Sequence, residues 1–205
     1  MRIGVLGTGV LAEALGSAWV RAGHEVVVGG RSREKAAALA GRLGGTASAA
    51  GLREAVAGCD AVLLAVSWDG VEEVLEVAGS GLAGVPLIDP TNAVEHGVGV
   101  LLTGPGGSGA QRIAALAPGA HVVKAFNMFP SARWAGGGGP ATVVMCGDDE
   151  GALRVVGGLV RDAGGVPAVL GPLARSRQVE EAAGFVIGLA FAGVDPRSAV
   201  PGLGA

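Results

Sequence analysis

The six residues Gly7-Thr8-Gly9-Val10-Leu11-Ala12 stand between a short apolar run, residues 3–6, and a stretch of helical periodicity, residues 10–21. Glycine in the first position permits a tight turn, glycine in the third leaves room for a group to approach the main chain, and small Ala12 lets helix and strand pack closely. A helix opening there turns unpaired N–H groups toward the turn, so the chemistry on offer is anion binding, that of a pyrophosphate above all. A ribose with free hydroxyls would need an Asp or Glu at the end of the next strand, about 20 residues on. The sequence there reads Val28-Gly29-Gly30-Arg31-Ser32-Arg33. Two guanidiniums and a hydroxyl at a helix start suit a 2′-phosphate, which a carboxylate would repel. The alternative for Arg31 and Arg33 is a solvated helix start. The expected ligand is NADP(H), held by Gly7, Thr8, Gly9, Val10, Leu11, Ala12, Gly30, Arg31, Ser32 and Arg33.

Three later strands end in polar residues. Ala65-Val66-Ser67 and Trp68 follow the run at 60–66, Asp89-Pro90-Thr91-Asn92 follows 86–88, and Lys124-Ala125-Phe126-Asn127 closes 121–126. Side chains at successive strand ends converge on one crevice in a parallel sheet. Ala65, Val66, Ser67, Asn92 and Asn127 therefore join the expected cofactor set, and Lys124 and Asn127 are candidates for positioning. A turn or cap role for the asparagines, an edge-covering role for Trp68 and a rim position for Lys124 stand beside these readings. The chain has no Tyr, which excludes the Tyr–Lys chemistry of short-chain dehydrogenases; His24, His96 and His121 show no metal spacing, and there is no nucleophile-elbow pattern.

The elements that must position these residues alternate. Strand-like runs at 3–6, 24–28, 46–48, 60–66, 86–88, 121–126, 142–146 and 167–170 alternate with helical runs at 10–21, 32–43, 52–57, 71–78, 111–116, 150–163 and 176–191. Short, continuously apolar strands interleaved with helices imply a mostly parallel sheet covered on both faces. The fold expected is α/β, a Rossmann-type doubly wound sheet in a single domain (1–205) with a short C-terminal helical tail. Residues 1–103 would form the dinucleotide-binding half and 104–205 the half with the acceptor pocket. The glycine clusters at 104–109 and 136–139 read as flexible loops, either lids or plain linkers.

Half of the 205 residues are apolar but only 3% are aromatic, so Ala, Val and Leu must build the core. A net charge of -3 without a dense basic run argues against nucleic acid. The sequence shows no signal peptide and no membrane-length apolar run, so a cytoplasmic protein is expected. Cys59 and Cys146 read as free buried thiols. The apolar helix at 182–192 needs a cover, from the domain or from a second subunit in a homodimer.

The chain resembles the coenzyme F420-dependent NADP oxidoreductases. The resemblance rests on residues 1–9, on Gly29-Gly30-Arg31-Ser32, on Ile88-Asp89-Pro90-Thr91-Asn92 and on Val122-Val123-Lys124-Ala125-Phe126-Asn127. It continues in Cys146-Gly147-Asp148-Asp149 and in Gly171-Pro172-Leu173-Ala174-Arg175-Ser176-Arg177. It implies hydride transfer between NADPH and a deazaflavin, coenzyme F420, with the two rings stacked and no side chain needed as acid or base. It also implies an acceptor ring beside Phe126, Met128, Phe129, Arg133 and Trp134, flanked by Pro172 and Leu173. Two other expectations remain. One is an NADPH-dependent reductase of a free flavin or an imine, in which Lys124 or Asp89 would give a proton; the other is a non-catalytic NADP(H)-sensing module.

Overall fold

The computed structural model describes residues 1–136 and 140–200, so most of the 136–139 glycine cluster lies outside the described residues. Eight strands form one sheet, β1 (Arg2–Leu6), β2 (Glu25–Gly29), β3 (Ser48–Ala50), β4 (Ala61–Leu64), β5 (Pro86–Asp89), β6 (His121–Lys124), β7 (Ala141–Gly147) and β8 (Gly165–Gly171). Their spatial order is β3-β2-β1-β4-β5-β6-β7-β8. Neighbours pair parallel throughout, with one exception, the antiparallel β6–β7 ladder.

Alternation along each strand divides the core in two. Ile3, Val5, Val26, Val28, Leu63 and Val123 face one side, where α1 (Val10–Arg21), α2 (Arg33–Leu43) and α6 (Glu150–Asp162) cover them. Leu6, Val27, Val62, Leu64, Leu87 and Val122 face the other, under α3 (Leu52–Val56), α4 (Val71–Ala78) and α5 (Gly109–Leu116). Both faces are therefore dry, which is why the strands carry no polar alternation. Among the scarce aromatics, Trp19 is fully buried, and its indole N–H donates to Leu159 O at 2.9 Å, tying α1 to α6. The edge strand sits two residues later than the expected 46–48, because Thr46 is drawn into the preceding turn by its hydroxyl bond to His24 O.

The chain first moves outward from β1 to β2 and β3, then returns to the other side of β1 as β4. That reversal opens a crevice at the carboxyl ends of β1 and β4, the place where this topology binds ligands. No helix among the described residues is long and apolar enough to cross a membrane.

Both cysteines are free and buried, and burial pushes both thiols above their usual range. A raised thiol carries less thiolate at neutral pH. Neither should react with a disulfide reagent in the native protein at pH 7.5, and both should react once denaturant is added. Rapid labelling of the native protein would contradict this burial.

Candidate functional site

The crevice at the β1–β4 switch is a cleft of about 270 Å³ lined by Gly7, Thr8, Gly9, Gly30, Arg31, Ser32, Lys35, Leu52, Ala65, Val66, Ser67 and Val74. Gly7 has φ +129°, and a Cβ there would lie 2.0 Å from Ala65 O, so only glycine fits. Its N–H donates to Gly29 O at 2.8 Å, which draws the β1 and β2 ends together. At Gly9 a Cβ would meet nothing within 4 Å, so the space above this turn is open. Like α3 and α4, and unlike α2, α5 and α6 with their Ser32, Ser108 and Asp149 caps, α1 begins with no side-chain cap, at Gly9. An open glycine turn and an uncapped helix start fit a pyrophosphate.

Arg31 and Ser32 line this cleft, and Ser32 also accepts from Lys35 N at 3.2 Å. Arg33 does not line it. Its guanidinium instead lies near α3, with Nη2 3.6 Å from where a Cβ on Gly51 would be. With Ser32 as cap, residues 33 and 35 are separated by about 200° around the helix, so only one of them can face the cleft. That residue is Lys35, which motif reading passed over and the helical wheel would have found. Arg31 Nη1 is bonded across the cleft to Glu73 at 2.9 Å. Leu52 and Val74 are further lining residues that the sequence did not single out; both are apolar walls. Of the helix residues expected at the cofactor, Val10 is exposed, Leu11 packs partly against the core and Ala12 is fully buried. Their side chains do not line the cleft, and what they offer is the helix start.

Lys124 is fully buried, away from any rim. Its ammonium lies 2.9 Å from Asp89 and 2.9 Å from Glu180, and it also donates to Thr91 O. Glu180, on α7 (Ser176–Phe191), accepts from the N–H groups of Gly109 and Ala110 at the start of α5, at 2.8 and 3.1 Å. Asp89 accepts from Thr91 N and Oγ1. Two carboxylates thus share one cation, and the excess negative charge rests on a helix N-terminus. This network clamps β5, β6, α5 and α7 beneath the site. With every member fully buried, Lys124 and Asp89 are not placed to give a proton to a ligand. Asn127 is buried too and is tied to Asn92: Asn92 donates to Asn127 O at 2.9 Å, and Asn127 donates to Asn92 Oδ1 at 3.0 Å and to Val179 O at 3.4 Å.

A second cleft, of about 470 Å³, continues from Ser67 and is lined by Trp68, Asp69, Asn92, Val94, His96, Leu102, Ile187 and Phe191 as well. One wall is α7 and another is the loop of residues 93–102, closed by a bridge between Val94 and Leu101. Gly99 crosses α7 at Gly184: a Cβ on Gly99, at φ +82°, would lie 2.0 Å from Gly184 O. Gly99→Ala should therefore cost about 2–4 kcal/mol, through the left-handed backbone and the overlap together. Thermal denaturation reads it, and an unchanged midpoint would contradict this packing. The 104–109 glycine loop is not free either. Arg177 donates to Gly104 O and Gly107 O, at 2.9 and 2.8 Å, and Gly109 N is held by Glu180.

The residues that the family pattern places beside the acceptor do not line this second cleft. Phe126, with φ +65°, sends its ring into the core between Trp19 and Trp134, at centroid distances of 6.3 and 5.1 Å. Trp134 is likewise buried, while Met128, Phe129 and Arg133 stay nearer the surface, with Arg133 stacked on Phe129. Their segment packs over α1: Ser131, Ala132 and Ala135 line a groove with Val10, Glu13 and Ser17. Leu173 is buried beside Asp148 and His121, and Pro172 precedes it. His121 begins β6, so this turn lies at the end of the sheet opposite the two clefts. The reason is that β7 runs against β6 and β8 runs parallel to β7, so both finish where β6 starts.

Residues 2–93 match the family described as NADP oxidoreductase, coenzyme F420-dependent. The chain is 33% identical over 188 residues to metalloreductase STEAP3 of Rattus norvegicus, covering 87% of this chain but only 36% of that protein. Among solved structures it is similar to a protein from Arthrobacter sp. FB24, provisionally described as an F420-dependent NADP-reductase. That match has 25% identity, a TM-score of 0.79, and covers 94% of this chain and 95% of the other. A hypothetical protein from Sinorhizobium meliloti matches with 28% identity and a TM-score of 0.73, over 86% and 87% of the two chains. A reductive aminase from Aspergillus terreus, at 22% identity and TM-score 0.68 over 94% of this chain and 62% of its own, shares the fold. The stretch from Arg2 to Ala93, which supplies every residue lining the first cleft, thus matches the family of F420-dependent NADP oxidoreductases that the motifs of the sequence resemble.

Proposed function

We propose that this chain is an NADP(H)-dependent oxidoreductase passing hydride directly and reversibly between NADPH and a planar acceptor of the deazaflavin class, the ring type of coenzyme F420. The observation that carries this reading is the junction of two unlike clefts at Ser67: one with a glycine turn and cations, the other with Trp68 and Phe191. In this reading Gly7, Thr8 and Gly9 receive the pyrophosphate, Arg31, Ser32 and Lys35 the 2′-phosphate, and Leu52 and Val74 flank the adenine. Ser67 and Asn92 meet the nicotinamide end, and Asn127 holds Asn92 in place. When bound, NADPH supplies a hydride to the acceptor ring, with one further proton taken from solvent. The protein's task is then alignment of two rings and exclusion of water between them, which needs no acid or base. Residues 1–103 serve the dinucleotide and also supply most of the acceptor cleft, to which α7, within 104–205, adds Ile187 and Phe191. A homodimer remains part of the proposal, supported by the exposure of Phe185 and Phe191 on α7. Light scattering tests it, and a concentration-independent monomer would overturn it.

Anaerobic mixing of the protein with oxidised deazaflavin and NADPH should bleach the deazaflavin's visible band rapidly, and NADH should do so slowly. Absence of bleaching in a preparation that binds NADPH would overturn the acceptor assignment. Glu73 supplies a finer check, because its carboxylate holds the Arg31 guanidinium that the 2′-phosphate needs. Glu73→Gln should tighten NADPH about threefold to tenfold and leave NADH unchanged, as an exposed ion pair of modest strength is removed. Equal gains for both dinucleotides, read by fluorescence titration, would contradict this role for Arg31.

A further inference from the structure

We propose that the second cleft takes its planar acceptor without an anionic tail, so that a tail-free deazaflavin or flavin core is the preferred substrate class and a phosphorylated, polycarboxylated form is disfavoured. This rests on the reading of that cleft as the acceptor's. Its volume, about 470 Å³, suits one small molecule buried among mostly apolar walls. The chain holds only 3 Trp and 4 Phe, and one of each lines this cleft. The His96 ring stands edge-on to Phe191 at 5.2 Å between centroids. Val94, Leu102 and Ile187 complete the apolar surface, and Asn92 adds an amide to the lining. Flat aromatic surface is therefore well served.

The charges point the other way for an anion. The lining has no Lys or Arg, and its one carboxylate is Asp69. The nearby guanidiniums stand outside this lining. Arg112 sits against Trp68 and Asp69 in a separate cavity and reaches Glu72 at 3.3 Å. Arg177 is bonded to two loop carbonyls and to Glu181. Arg133, next to Phe129, lies on the α1 side of the sheet. An acidic tail in this cleft would meet Asp69 with no Lys or Arg in the lining, whereas the first cleft offers Arg31, Lys35 and an open helix start. The two clefts sort their ligands by charge as well as by shape.

The test compares matched pairs at saturating NADPH under anaerobic conditions: the ribityl-deazaflavin core against coenzyme F420, and riboflavin against FMN. Within each pair the ring is the same and the tail differs. The tail-free member should show a kcat/KM about tenfold higher or more. Raising ionic strength from about 20 to about 200 mM should lift kcat/KM for the tailed member, by screening repulsion, and leave the tail-free one flat. Asp69→Lys should narrow the gap by raising the tailed member. Equal rates, or a tailed substrate that is faster and slows with salt, would overturn the proposal. If none of the four rings is reduced by protein that binds NADPH, it is the acceptor reading itself that fails.

Discussion

Lys124→Met should destabilise the fold by about 3–5 kcal/mol, because it leaves Asp89 and Glu180 facing each other in the interior without their shared cation. For a chain of this size each kcal/mol moves the midpoint by about 2–4 °C, so a fall on the order of 10 °C or a failure to fold is expected. Breaking a buried ion cluster is costly mainly through the charges left behind. Lys124→Met combined with Asp89→Asn and Glu180→Gln should therefore recover much of the loss. Thermal denaturation of the single and triple variants, compared under one condition, reads both effects. A single variant as stable as the parent would mean that the cluster does not hold the four elements together. If the triple variant folds and still bleaches the acceptor, proton donation by Lys124 is excluded as well.

The second large effect belongs to the cations of the first cleft. Arg31→Ala with Lys35→Ala should weaken NADPH binding about 100-fold or more while leaving NADH within about threefold. Each lost charge-assisted contact to a phosphate is worth about 1.5–3 kcal/mol, and each 1.4 kcal/mol is about tenfold in affinity. Arg33→Ala, whose side chain lies toward Gly51 on α3, should change neither. Calorimetric titration of the three proteins with both dinucleotides separates the cases. Parallel loss of NADPH and NADH affinity would show that the 2′-phosphate is not what Arg31 and Lys35 recognise.

Much of this architecture was legible in the residues. The helices over 10–21, 71–78 and 176–191 coincide with their expected bounds, because apolar periodicity is uninterrupted there. The glycine turn at residues 7–9 was legible for the same local reason: strand, turn and helix are contiguous. What could not be read is what depends on long-range pairing. The antiparallel direction of β7 leaves no local mark, since buried strands of either sense are apolar runs, yet it sends Pro172 and Leu173 to the end of the sheet opposite the clefts. Glu180 stands beside Glu181 in a helix, and only the partner Lys124, 56 positions away by their numbering, distinguishes the buried acid from the exposed one. The family resemblance places Phe126 beside the acceptor, but its left-handed backbone turns the ring inward. Lys35 was a different kind of miss, recoverable from helix geometry once Ser32 was taken as the cap.

The most direct test follows the hydrogen itself. NADPH deuterated at the transferring position of the nicotinamide is mixed anaerobically with the protein and the tail-free deazaflavin core, and the reduced ring is analysed by mass spectrometry. The account predicts that the deuterium appears in the reduced deazaflavin, at a rate matching the bleaching, because the two clefts meet at Ser67 and bring the rings together. Bleaching with the label lost to solvent would contradict direct transfer between adjacent rings. No transfer at all, from protein that binds NADPH tightly, would leave a dinucleotide-binding module in place of a reductase.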